Sequence, residues 1–127
     1  MQLLVGRCPA STTLEVVVRA EACADLIPEL SMAREFGRAL HGAAPVDVIG
    51  SVPGRWIVQD GQHWLNRWLE LTGDTENAAF MMLTACRMWR FAATGEHSFK
   101  TAAALWVLAR DPSLMAVRQA RSAGPAR

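Results

Sequence analysis

The chain has 127 residues, 51% hydrophobic and 20% charged, which is room for one domain with its own core and argues against a disordered chain. A formal net charge of +1 gives no broad basic field, so a nucleic-acid-binding surface is not expected. No apolar stretch reaches the roughly 18 residues that span a bilayer, MQLLVGRC has no extended apolar signal core, and the three cysteines, Cys8, Cys23 and Cys86, lack metal-type spacing and suit a reducing cytoplasm.

In chain order, Leu14 to Ala20, LEVVVRA, is the one stretch that reads as a strand, expected over about residues 13–20. A lone strand is unstable, so it must pair with the MQLLV segment, with another chain, or with a sheet outside this sequence. Glu15 interrupts its apolar run, which suits either an edge position facing water or a catalytic carboxylate. From Asp25 the pattern turns helical, with Leu26, Leu30, Ala33, Phe36, Gly37 and Leu40 at intervals of three and four and His41-Gly42 as the stop. Ala43 to Pro53 has prolines, glycines and no period, and reads as a connector. A second helix is expected from Asp60 to Leu71, with Trp64, Leu65, Trp68 and Leu71 on one face and Gly73 as its end.

Asp74 or Thr75 suits the cap of a third helix running to about Ala93. That helix is apolar on nearly every side, which makes it the expected centre of the domain; Asn77, Thr84 and Arg87 form its polar stripe. ATGEHS makes a turn, Ser98 is the expected cap of a fourth helix, and Ala102, Leu105, Trp106 and Ala109 are its expected packing face. Asp111-Pro112 opens a fifth helix through about Arg121, before a frayed tail at 123–127. The expected fold is mainly α, a bundle of four to five helices with one short N-terminal strand.

Lys100 is the only lysine beside twelve arginines, and it falls where a turn gives way to an Ala-rich helix. A compact ammonium in a first turn, among free backbone N–H groups, suits a phosphate oxygen; codon usage poor in lysine would explain its isolation equally well. The run RWLELTGDTEN gathers Trp68, Glu70, Asp74, Glu76 and Asn77 at one corner. Such a corner could attract a polycation with Trp68 to stack on, although the same residues also suit ordinary helix ends and a core-facing stripe. Arg87, amid apolar neighbours, requires a carboxylate or helix-end carbonyls if buried. His41, His63 and His97 show no ligand spacing, so no metal site is expected from them.

The run NAAFMMLTACRMWRFAATGEHSFKTAAALW resembles the C-terminal helical domain of aminoglycoside nucleotidyltransferases of the streptomycin/spectinomycin adenylyltransferase type. Leu83, Arg87, Trp89, Thr94, Gly95, Lys100, Ala103, Ala104 and Trp106 or near neighbours keep that family's pattern, and the likeness extends back through Trp68 to Ala33–Gly42. TLEVVVRAE is similar to the last strand of the family's nucleotidyltransferase domain. The resemblance implies Glu15 as the base that activates the substrate hydroxyl, Lys100 as a contact to ATP phosphates, and Trp68 as part of the antibiotic pocket. It places Asn77 where the streptomycin-modifying enzymes have a drug-binding Asp, and Phe80 where they have a His, which weakens any claim to streptomycin. It implies ATP and magnesium as cofactors and an aminoglycoside as partner.

The family holds two magnesium ions with a G-S motif and a D-x-D pair, and two metals clamp the in-line displacement. Here the one Gly-Ser, Gly50-Ser51, lies in the connector, and no D-x-D occurs. The expectation is therefore a truncated relative, with residues 1–23 left from the nucleotidyltransferase domain, residues 24–122 forming the helical substrate-binding domain, and no competence for AMP transfer alone. The expected protein partner is a second copy or a missing N-terminal domain, and the alternative function is a non-enzymatic helical interaction or dimerisation module.

Overall fold

In the computed structural model the described residues are 4–7, 14–17 and 26–123. Two strands, β1 (Leu4–Arg7) and β2 (Leu14–Val17), pair antiparallel, with Leu4 opposite Val17 and Gly6 opposite Glu15. Of the partners open to the strand, the MQLLV segment supplies the pairing seen among the described residues, through Leu4–Arg7. The rest of the expected strand, residue 13 and residues 18–20, lies outside the described residues.

Among the described residues six helices follow: α1 (Leu26–Phe36), α2 (Pro45–Val48), α3 (Gly54–Leu69), α4 (Ala78–Thr94), α5 (Lys100–Arg110) and α6 (Met115–Ser122). The hub is α4, which packs against α3, α5 and α6, as its all-round apolar sequence leads one to expect. Leu83 and Cys86 of α4, Ala103, Ala104 and Val107 of α5, and Val117 and Ala120 of α6 form one buried cluster. Ala103 and Ala104 are wholly buried, so methyl-sized side chains let α4 and α5 approach closely while Val107 fills the space beside them. On its other side α4 meets α3, where buried Gly61 faces Met88; a Cβ on Gly61 would stand 3.4 Å from Met88 Cγ.

Several boundaries differ from the sequence expectation for identifiable reasons. Helix α1 ends at Phe36 because the chain turns at Gly37, where an added Cβ would run into the Ala33 carbonyl oxygen. Leu40 therefore leaves the helix and is 97% exposed. The connector contains α2, a single turn with Pro45 preset for a helical start. Helix α3 begins at Gly54, six residues before Asp60, and Leu71 lies beyond its end, exposed.

The cap of α4 is Asn77; Asp74 contributes from outside by accepting the Asn77 backbone N–H at 3.2 Å. At its other end Gly95 takes φ 73°, the left-handed conformation glycine adopts without strain, and its N–H reaches the Phe91 carbonyl. Ser98 does not cap α5, whose N-cap is Phe99 with no side-chain bond. The packing face of α5 is Ala103, Ala104 and Val107; Ala102, Leu105 and Ala109 are exposed, since a run of three alanines hides the phase of the helix. The Asp111 carboxylate accepts from the Ser113 N–H and hydroxyl, a local turn that delays α6 to Met115. The tail from 124 lies outside the described residues, and so do Cys8 and Cys23. Among the described residues no helix is long and apolar enough to cross a membrane.

Candidate functional site

Helices α1, α3 and α4 and the turn before α5 border an open cleft of about 400 Å³. Helix α3 supplies Ile57, Asp60, Trp64 and Trp68, and α4 supplies Phe80, Thr84, Arg87, Met88 and Phe91. Steps of three and four residues in each set put these side chains on one helix face, so both helices present a continuous wall. Helix α1 adds Pro28, Glu29 and Met32, and the turn adds His97 and Ser98.

The α3 wall is aromatic: Trp64 and Trp68 lie with ring centroids 6.5 Å apart, tilted by 39°, and both are half-buried. Trp68 thus sits on the packing stripe and on the cleft at once, so its two sequence readings are compatible. Asp60 is buried below the tryptophans in sequence, 9% exposed, which gives this wall an acid among apolar groups. Glu29 of α1 adds a second carboxylate, and it is exposed.

The α4 side carries the opposite charge. Arg87 is half-buried, and its guanidinium donates to Met32 Sδ at 2.9 Å. That sulfur contact replaces the carboxylate or helix-end carbonyl anticipated for it; a weak acceptor suffices because the group is not fully desolvated. Lys100, the first residue of α5, holds its ammonium 4.1 Å from the centroid of the Phe80 ring. Burial, and then the nearby Arg87, push the Lys100 ammonium below its ordinary pKa. The cleft therefore has carboxylates on the α1 and α3 sides and two cations towards α4 and α5.

His97 ties the turn to α1. Its Nε2 lies 2.8 Å from Ser31 Oγ, its ring is tilted against Phe91 at 4.6 Å, and Phe36 meets it edge-on at 6.4 Å. Burial lowers the His97 pKa; Glu35 opposes that shift and Arg87 adds to it. Ser98 Oγ is buried and, among the described residues, has no hydrogen-bond partner.

Of the residues singled out in the sequence, Trp68 and Phe80 line the cleft and Lys100 borders it through Phe80. Asn77 stands outside, at the start of α4, where its side-chain amide donates to both Asp74 carboxylate oxygens at 2.9 and 3.1 Å. In the acidic corner Glu70 pairs with Arg67 at 3.1 Å, so two of its three carboxylates are engaged locally. Glu15 has its backbone place on β2, and the role suggested for its side chain lies outside the described residues. Asp60, Met32 and the anchoring role of His97 were not anticipated. Extending the period of Trp68 and Trp64 back by four would have reached Asp60; nothing local marks Met32 or His97 as neighbours across the fold.

Among the described residues no three His, Cys, Asp or Glu side chains come together in a way that could hold a metal ion. Gly50-Ser51 lies exposed between α2 and α3. The residues described do not fit a magnesium pair.

No curated protein matches the sequence. Residues 47–123, more than half of the chain, match the family described as aminoglycoside adenylyltransferase, C-terminal domain. That span takes in α3 to α6, the hub helix and the walls that carry Trp68, Phe80, Arg87 and Lys100. By this match the chain belongs to the aminoglycoside adenylyltransferase family, through its C-terminal domain.

Proposed function

We propose that residues 24–122 act as a cytoplasmic antibiotic-binding unit, taking an aminoglycoside or aminocyclitol drug of the spectinomycin and streptomycin class into the cleft. The observation that carries this reading is the division of charge: Asp60, Glu29 and two tryptophans on one side, Arg87 and Lys100 on the other. A polyamine or guanidine drug is attracted by the exposed Glu29 carboxylate and stacks its apolar faces on Trp64 and Trp68. The phosphates of ATP lie toward Lys100, in the first turn of α5, where free N–H groups add to the ammonium.

In a full transfer AMP passes from ATP to a drug hydroxyl, and Glu15, as base, takes the hydroxyl proton as pyrophosphate leaves. The metal-binding acids that reaction uses in the family have no counterpart in this sequence. The proposed activity of this sequence alone is therefore binding without turnover, with a role in antibiotic resistance only where the missing acids are supplied by another segment or chain.

Calorimetry with spectinomycin, streptomycin and ATP tests the reading. Drug binding is expected to weaken in Trp68→Ala and ATP binding in Lys100→Ala, each with the fold intact. No heat with any of the three ligands would remove the proposal, and robust AMP transfer by this chain with ATP and magnesium would remove the claim of incompetence. A helical docking module is the second reading, favoured by Phe99, 85% exposed immediately before α5. Concentration-dependent association without ligand binding would support that alternative.

A further inference from the structure

The ammonium of Lys100 rests 4.1 Å from the centroid of the Phe80 ring, and among the described residues it forms no ion pair or hydrogen bond. A half-buried lysine normally gains a carboxylate or escapes to water, because its four-carbon stem is flexible and its charge strongly hydrated. Here an aromatic face takes the place of a counter-ion. The two residues come from different helices: Phe80 lies in the first turn of α4, and Lys100 is the first residue of α5. Phe80 also lines the cleft, so one ring borders both the ligand space and the lysine.

We propose that Phe80 is a positioning residue for Lys100: its ring seats the ammonium at the rim of the cleft, uncompensated by any carboxylate among the described residues, with N–H donors left for a phosphate oxygen. The inference rests on the nucleotide reading above, and it goes further by naming what holds the phosphate contact in place. A ring attracts the cation without neutralising it, so the seat fixes position and preserves charge, which a glutamate at the same place would not do. An ammonium has three donors, and facing the ring with one side leaves the others free. Leucine at position 80 would keep the apolar bulk but remove the ring quadrupole and with it the seat.

The isolation of Lys100 makes the test direct. Labelling with ¹³C-lysine gives a spectrum of a single lysine, whose ε-methylene protons are shifted upfield by the ring current if the ammonium sits over Phe80. The expected result is an upfield resonance in the unmodified protein, a return to the free-lysine position in Phe80→Leu, and an upfield shift kept in Phe80→Trp. ATP affinity is expected to fall about two- to fivefold in Phe80→Leu, the scale of an exposed cation–π contact, and to recover in Phe80→Trp. Helical circular dichroism confirms that the variants fold. An unshifted resonance in the unmodified protein overturns the proposal without any variant. Equal or tighter ATP binding in Phe80→Leu also overturns it while leaving the nucleotide reading standing. A shifted resonance that ATP neither moves nor binds near overturns the nucleotide reading, and with it the phosphate role, but not the seat.

Discussion

The two sides of α4 are built by different means. Toward α5 and α6 it meets mainly alanines and aliphatic side chains, with Trp106 edge-on to Trp89 at 5.7 Å beside them, and the interface closes until Ala103 and Ala104 have no exposure at all. Toward α1 and α3 it meets tryptophan, methionine, histidine and phenylalanine, which are large, flat or flexible and leave a cleft of about 400 Å³ between them. Small residues pack backbones; large aromatic residues at the same helical spacing hold backbones apart and line the space. One helix can thus carry the stability of the domain on one face and line an open cleft on the other.

Leu83→Ala should give the largest effect, because it opens a cavity in the closed side, where Leu83 is 7% exposed. A loss of about 2–5 kcal/mol is expected by urea unfolding. A loss below that range would mean that the closed side relaxes as readily as the open one, and the contrast would fail.

A smaller effect belongs to His97, on the open side. Its folded pKa is held below the ordinary value near 6.5, so the unfolded chain takes up the proton more readily. Stability is therefore fully present above about pH 6.5 and declines as the pH falls through the lower folded value. Thermal melts between pH 7.5 and pH 5 should show that decline, and His97→Phe should flatten it. If the variant and the unmodified protein respond alike, the turn is not anchored through this ring.

The smallest effect is expected outside both regions. Arg67 and Glu70 form an exposed pair one helical turn apart. Glu70→Gln should change stability by no more than about 0.5 kcal/mol, measured by the same denaturant titration, and a larger change would assign the acidic corner a part in the fold that its exposure does not suggest.

What could be read from the sequence divides along the same line. The hub helix, the turn at Gly95 and the place of Lys100 at the start of α5 follow from local signals, namely apolar content, a glycine stop and an Ala-rich restart. Trp68 was recognised by its period. The expected start of α3 at Asp60 falls six residues late because Gly54, Arg55 and Gln59 add no apolar period of their own, although Ile57 continues the stripe and is buried. The starts of α5 and α6 differ from expectation because Ser98 and Asp111 look like caps, yet Ser98 Oγ is buried without a bond among the described residues and Asp111 turns onto Ser113. The open side was hardest to foresee. Met32 with Arg87 and Ser31 with His97 are contacts between residues 55 and 66 positions apart, and no local pattern announces them.

Gly61 gives the cleft a dial that no ligand needs to touch. As a glycine within α3 it forgoes roughly 1 kcal/mol of helix propensity relative to alanine. An alanine methyl there would come into van der Waals contact with Met88, 3.4 Å from its Cγ, and a bulkier residue would have to displace that flexible side chain or widen the spacing of α3 and α4. A change at this one position would therefore act on the cleft at second hand, through Met88, which lines it, while Gly61 itself does not.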